Sequence, residues 1–170
     1  LRKNNNIEFL DSRDNFNTKN IFSLAFDKGN RIWIASQEGL FRIVKSELGK
    51  LTTQKVLDNP KFSFLSFISV YCDSKGFIWA GTYGYGVYRI NPDDLSFKVF
   101  TTENGLANNN VFSITGKNDS ILISTQGGGV SLYNLNNPNI FYNLSVENGL
   151  TSNYIYNSFI DSKHRFWFGT

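Results

Sequence analysis

The sequence predicts an all-β fold made of consecutive four-stranded antiparallel units, about three and a half of them. Three observations carry this. An apolar strand centred on tryptophan recurs as Arg31-Ile32-Trp33-Ile34-Ala35-Ser36, Gly76-Phe77-Ile78-Trp79-Ala80-Gly81-Thr82 and Arg165-Phe166-Trp167-Phe168-Gly169-Thr170. A further copy, Ser120-Ile121-Leu122-Ile123-Ser124-Thr125, has Leu122 in place of Trp. The centres step by 46, 43 and 45 residues. Several short strand-like runs fill each step, and no 3.6-residue helical pattern appears anywhere. A period of about 40–50 residues built from short strands is the signature of a β-propeller blade.

Each element follows from that frame, with strands named a to d. Strand a precedes the Trp strand and ends near an acidic turn: Ile21 to Asp27, Phe67 to Asp73, Ile155 to Asp161, and a version without the acid, Val111 to Gly116. Strand b is expected at 31–36, 77–82, 120–125 and 165–170. Strands a and b are apolar on consecutive residues, which predicts burial on both faces. Small residues follow each Trp position (Ala35-Ser36, Gly81-Thr82, Ser124-Thr125, Gly169-Thr170) and allow close approach as blades converge. Strand c follows a Gly-containing turn: Gly39 to Ile43, Gly86 to Ile90, Gly129 to Tyr133. Strand d (Phe97 to Phe100, Ile140 to Leu144) alternates better and fits an outer position. The blades are expected at about 21–56, 67–100 and 111–144, with a half blade at 155–170. Ile7 to Leu10 reads as strand d of a preceding blade.

Three blades and a half fall short of the four to eight of a closed ring, and the chain contains no Met. It reads as a β-propeller fragment cut from a longer protein, and its open edges predict self-association or a homodimer. The net charge of +3 comes from scattered bases, not from a stripe, which argues against a nucleic-acid partner. No run approaches the ~18 apolar residues of a membrane span. The single cysteine, Cys72, excludes an internal disulfide framework and reads as a packing thiol.

The best copy of the repeat, Asp73-Ser74-Lys75-Gly76-Phe77-Ile78-Trp79-Ala80-Gly81-Thr82 followed by Gly86-Val87-Tyr88-Arg89, resembles the two-component-regulator propeller repeat. The lead-ins Glu103-Asn104-Gly105-Leu106 and Glu147-Asn148-Gly149-Leu150 belong to the same pattern. The resemblance covers roughly residues 14–170. It departs in the third blade, which lacks Asp and Trp, at Asn15-Phe16 in the first lead-in, and at His164, which stands where Gly is usual. The resemblance implies the periplasmic sensor region of a membrane-anchored hybrid histidine kinase of Bacteroidetes. It further implies an oligosaccharide ligand derived from a polysaccharide, and control of transcription. It implies no catalysis by this segment.

Asp27, Asp73 and Asp161 sit in separate blades, each beginning an a–b turn, so they read as turn acceptors rather than as a metal or catalytic cluster. Trp33, Trp79 and Trp167 read as buried wedges between blades. His164 has no ligating neighbours at metal spacing. Gly127-Gly128-Gly129 reads as a b–c turn, because no helix follows to complete a phosphate site. No cofactor is implied. The b–c and d–a turns emerge on one face and gather Tyr, Gln, Asn and Glu, the groups that stack on sugar rings and fix hydroxyls. The candidate ligand-binding residues are Tyr83, Tyr85, Gln126, Asn108 and Asn109. The competing readings are a protein-interaction or dimerisation propeller and an enzyme propeller such as a lyase or hydrolase.

Overall fold

The computed structural model describes residues 2–3, 6–7, 10–18, 20–45 and 49–170. Strands β1 (Arg2–Lys3) and β2 (Asn6–Ile7) form a short antiparallel pair. Of the strand expected over Ile7 to Leu10, Ile7 ends β2, Leu10 is not in a strand, and Glu8 and Phe9 lie outside the described residues. Three four-stranded antiparallel meanders follow. The first is β3 (Ile21–Phe26), β4 (Ile32–Ser36), β5 (Gly39–Lys45) and β6 (Leu51–Val56). The second is β7 (Phe67–Cys72), β8 (Ile78–Thr82), β9 (Val87–Ile90) and β10 (Phe97–Phe100). The third is β11 (Val111–Lys117), β12 (Ser120–Thr125), β13 (Gly129–Asn134) and β14 (Asn137–Leu144). A two-strand sheet, β15 (Asn157–Ile160) with β16 (Phe166–Gly169), begins a fourth unit. Among the described residues the only helices are single 3-10 turns. The protein is all-β, and its sheets are propeller blades.

The core lies between blades, as blade stacking requires. Trp33 joins Phe67, Ile78 and Tyr88 of the next blade in one cluster. Trp79 joins Val111, Ile121 and Tyr133 in a second, and Leu122 joins Ile155 in a third. Trp79 stacks on Phe100 (centroids 5.7 Å apart) and meets Tyr133 edge-on at 5.0 Å. Gly81 faces Val111, whose Cγ1 would stand 2.5 Å from an added Cβ, so blade 3 can approach only a glycine here.

Asp27, Asp73 and Asp161 are turn acceptors, as expected, and each also holds its Trp. One carboxylate oxygen of Asp73 accepts the N–H groups of Lys75 and Phe77, both at 2.9 Å. The other accepts the indole N–H of Trp79 at 2.8 Å. Asp27 repeats this with Gly29, Arg31 and Trp33, and Asp161 with Lys163, Arg165 and Trp167. Burial pushes the Asp27 carboxyl up. Hydrogen bonds from Trp33, the Arg31 N–H and the Arg31 guanidinium outweigh that and hold it below the usual carboxylate value. His164 takes up the left-handed conformation (φ 62) that Gly76 (φ 93) and Asn30 (φ 59) occupy in the other turns. Burial raises the Cys72 thiol, which packs half-buried against the first core cluster.

Trp167 departs from expectation. Trp33 and Trp79 are fully buried, but Trp167 is 54% exposed. The residues that cover Trp79, namely Phe100 and Tyr133, follow it in the chain. Over Trp167 lies the Arg165 guanidinium, 5.3 Å from the ring centroid, and among the described residues no second aromatic ring packs on it. Strand a departs too. It is buried on both faces nowhere along its full length: part of it lines an open cavity in each blade, and Leu24 and Phe26 of β3 are exposed outside that cavity.

Candidate functional site

The d–a and b–c turns meet on one face, and their contacts are repeated. The Asn109 carbonyl accepts the N–H groups of Gly84 and Gly86, and the Asn153 carbonyl accepts those of Gly127 and Gly129. The Asn109 side chain accepts the Thr102 N–H at 2.9 Å, as Asn153 accepts that of Val146. The Asn108 side chain accepts the Asn110 N–H. Two of the candidate ligand residues, Asn108 and Asn109, thus have their amide oxygens occupied in shaping the lead-in. Gln126 forms an isolated antiparallel bridge with Tyr154, and its N–H donates to the Asn110 carbonyl.

Gly84 (φ 92) separates the two candidate tyrosines, which diverge. Tyr85 packs against Phe64 of its own lead-in, with ring centroids 4.8 Å apart. Tyr83 turns the other way, toward Phe112 of the next blade at 6.3 Å. Phe112 in turn contacts Tyr156 of blade 4 at 5.5 Å. Tyr83, Tyr85 and Tyr156 are about half exposed. The result is one aromatic path from blade 2 to blade 4, with Tyr85 and Phe64 as a separate exposed pair.

The path runs to the mouth of a cavity of about 470 Å³ that the four strands a enclose. Strand a carries a β-bulge near its start in blades 1 to 3: the register shifts between Ile21 and Ser23, Phe67 and Ser69, and Val111 and Ser113. A bulge leaves one residue unpaired and re-aims its side chain. The residues at that point are Phe22, Ile68 and Phe112, with Tyr156 at the equivalent position of blade 4, and all four line the cavity. The next residue in each blade is polar and clips neighbouring blades. The Ser23 hydroxyl accepts the Val70 N–H at 3.2 Å, and the Ser69 hydroxyl accepts the Ile114 N–H at 2.9 Å. Ser113 donates to the Asn157 amide oxygen at 3.1 Å. Among the described residues no charged side chain lines this cavity.

The bulged residues were not among the sequence candidates. Their signal was present: the second residue of strand a is Phe, Ile, Phe or Tyr, and the third is Ser or Asn in every blade. Inside an unbroken apolar run that position reads as core. Only the bulge turns it to the mouth.

The two-component regulator propeller family model matches residues 61–84, the stretch that holds Asp73, Trp79 and Tyr83. A search of the curated proteins finds no match. Among solved structures, the chain is similar to the extracellular domain of the hybrid two-component system BT4673 from B. thetaiotaomicron. The identity is 26% and the TM-score 0.71, over 95% of this chain and 22% of that one. The corresponding domain of BT3049 from the same organism matches at 22% identity and TM-score 0.63, over 91% and 26% of the two chains. Virginiamycin B lyase from Staphylococcus aureus matches at 18% identity and TM-score 0.62, over 88% and 48%. The last two show the fold alone. The chain spans about a fifth of the BT4673 domain.

Proposed function

We propose that this chain is part of the extracytoplasmic, periplasmic sensor propeller of a hybrid two-component histidine kinase. In this reading the face bearing the b–c and d–a turns binds an oligosaccharide released from a polysaccharide. Binding is relayed to a kinase beyond an inner-membrane anchor and adjusts transcription of polysaccharide-use genes. The chain itself binds and does not catalyse. The observation that carries the proposal is the aromatic path Tyr83–Phe112–Tyr156 at the cavity mouth, exposed on a repeat of the regulator-propeller type. Exposed aromatic planes beside amide groups match the two demands of a sugar, an apolar ring face and many hydroxyls. The lyase shares the fold, but a fold does not carry a reaction with it.

A glycan array followed by calorimetry on the hits tests this. At least one oligosaccharide is expected to bind, and Tyr83→Ala to weaken it. Failure of every oligosaccharide on the array would overturn the reading. A dimerisation role is favoured by a different observation, the exposure of Ile21, Leu24 and Phe26 on β3. An array without hits, together with a well-defined dimer in solution, would favour it.

A further inference from the structure

We infer that the bulge position of strand a is the ligand-reading position of this propeller, and that the ligand read there is a neutral oligosaccharide. The inference rests on the sugar-sensing reading above and narrows it to a class of sugar and to two residues, Phe112 and Tyr156.

Most exposed-face positions perform the same structural task in each blade. Thr82 and Thr125 each donate to the carbonyl of the glycine that closes the b–c turn, and Ser36 does the same to Gly39. Asn109 and Asn153 each shape a lead-in. Ser23 and Ser69 each accept an N–H from the next blade. These groups are engaged by the fold. The bulge residue is different. It is unpaired in the ladder, it differs in size and polarity from blade to blade, and in blades 3 and 4 it is aromatic and joins a ring contact with its neighbour. A propeller that builds its frame from invariant clips can vary this residue without disturbing the frame. That is the property a specificity position needs.

The chemistry of the mouth then selects the ligand. Phe112 and Tyr156 present ring faces, and Ser113 and Asn157 line the same cavity; the Asn157 amide oxygen is taken up by Ser113 and the Ser158 N–H, which leaves the Asn157 NH2 as a donor and the Ser113 oxygen as an acceptor for ligand hydroxyls. Among the described residues, neither Lys, Arg, Asp, Glu nor His lines the cavity. A uronate or sulfate group brought into this mouth would lose hydration and find no cation to replace it, and burying an unpaired charge is costly. A neutral pyranose or furanose chain meets no such penalty. Its apolar ring faces stack on Tyr156 and Phe112, and its hydroxyls exchange water for the amide and hydroxyl groups.

The test is calorimetric titration of the 170-residue chain. The neutral probes are fragments of β-1,4-glucan, β-1,4-mannan, β-1,4-xylan and α-1,5-arabinan; the acidic probes are oligogalacturonate and heparin fragments. At least one neutral fragment is expected to bind with an affinity that does not fall as salt is raised, whereas the acidic fragments do not bind. Tyr156→Ala and the milder Phe112→Leu are each expected to weaken that binding by about tenfold, the scale of one lost stacking contact. Tyr142→Ala, at an exposed tyrosine of the outer strand β14 that does not line the cavity, is expected to leave affinity within about twofold, the scale of a contact outside the binding centre. Circular dichroism melts matching the parent chain establish that the variants are folded. Neutral binding that survives both Tyr156→Ala and Phe112→Leu overturns the inference but leaves the sugar-sensing reading standing. Binding confined to acidic fragments does the same. No binding by any fragment overturns both.

Discussion

Replacing Asp73 with alanine probes the device that repeats most faithfully in this chain. The Asp73 carboxylate is 3% exposed and the Trp79 indole is fully buried. The substitution leaves the indole N–H, now 2.8 Å from an oxygen, with no acceptor. It also frees the Lys75 and Phe77 N–H groups. Water reaches the half-buried turn more easily than it reaches the indole. An orphaned buried donor costs about 1–3 kcal/mol, and the lost turn bonds to a charged acceptor add a similar amount. The expected total is about 3–4 kcal/mol, which lowers a urea midpoint by at least about 1 M. Blade 4 supplies the internal control. Asp161 holds Trp167 at 3.1 Å with the same two turn bonds, but there the indole is 54% exposed. Asp161→Ala should shift the midpoint by about half as much, because the same turn bonds are lost but water takes over the indole N–H. A double-mutant cycle with Trp79→Phe isolates the indole bond and should give a coupling of about 1–3 kcal/mol. Equal midpoint shifts for Asp73→Ala and Asp161→Ala, or a coupling near zero, would refute the claim that burial makes this bond valuable.

Gly86→Ala should be strongly destabilising in a thermal melt, because φ is 75° and the new Cβ would stand 2.1 Å from the Phe100 carbonyl oxygen. Gly149→Ala, at φ 97° with nothing within 4 Å, should cost only the backbone strain of about 1–2 kcal/mol. The Asp161 carboxyl is held down to about 2 by the Arg165 N–H first and the Trp167 indole second. Its folded value lies below the ordinary ~3.9, so its contribution to stability is full above that value and is lost as pH falls through about 2. Carbon-detected NMR titration of Asp161 checks this, and Trp167→Phe should raise the measured value. Finally, the 170-residue chain should self-associate with rising concentration. Ile21, Leu24 and Phe26 on one side, and Phe159 and Trp167 on the other, are exposed apolar groups of the kind that rarely stay bare in solution. Light scattering that reports a constant 19.3 kDa species at every concentration would refute this.

What the sequence made legible follows from how each residue is buried. Strand b is sandwiched on both faces, so Ile78 to Thr82 is wholly buried, and its apolar run and its period announce it directly. The observed strands Ile32–Ser36, Ile78–Thr82, Ser120–Thr125 and Phe166–Gly169 lie within the expected spans. The wedge role of Trp33 and Trp79 was legible for the same reason. The exposure of Trp167 was not, because burial between blades depends on strands elsewhere in the chain and a local motif does not encode them. Asn109 illustrates a different limit. An asparagine that caps a turn and one that binds a sugar are the same letter, and only the bond to Thr102 separates them.

The mouth was illegible for a subtler reason, and the reason bears on function. A bulge adds one residue to one strand and leaves composition unchanged, so Val111-Phe112 reads as continuous core. In the fold Val111 is buried against blade 2, while Phe112 is sent to the cavity. The repeat itself supplies the correction. Positions that repeat one task from blade to blade, such as the a–b turn Asp of blades 1, 2 and 4 and the Asn of the lead-ins to blades 3 and 4, belong to the frame wherever they occur. Positions where the blades disagree while the backbone agrees are free of that duty. Residue 83 is Tyr where blades 1 and 3 have Gln37 and Gln126, and the bulge carries Phe22, Ile68, Phe112 and Tyr156. Both kinds of disagreement converge on one mouth, from different strands and at different distances along the chain. Packing accounts for little of that convergence, because among the described residues Ile114 alone belongs both to a core cluster and to the cavity lining. The proposed oligosaccharide would account for it, since a ligand at the mouth would touch all four blades at that single level.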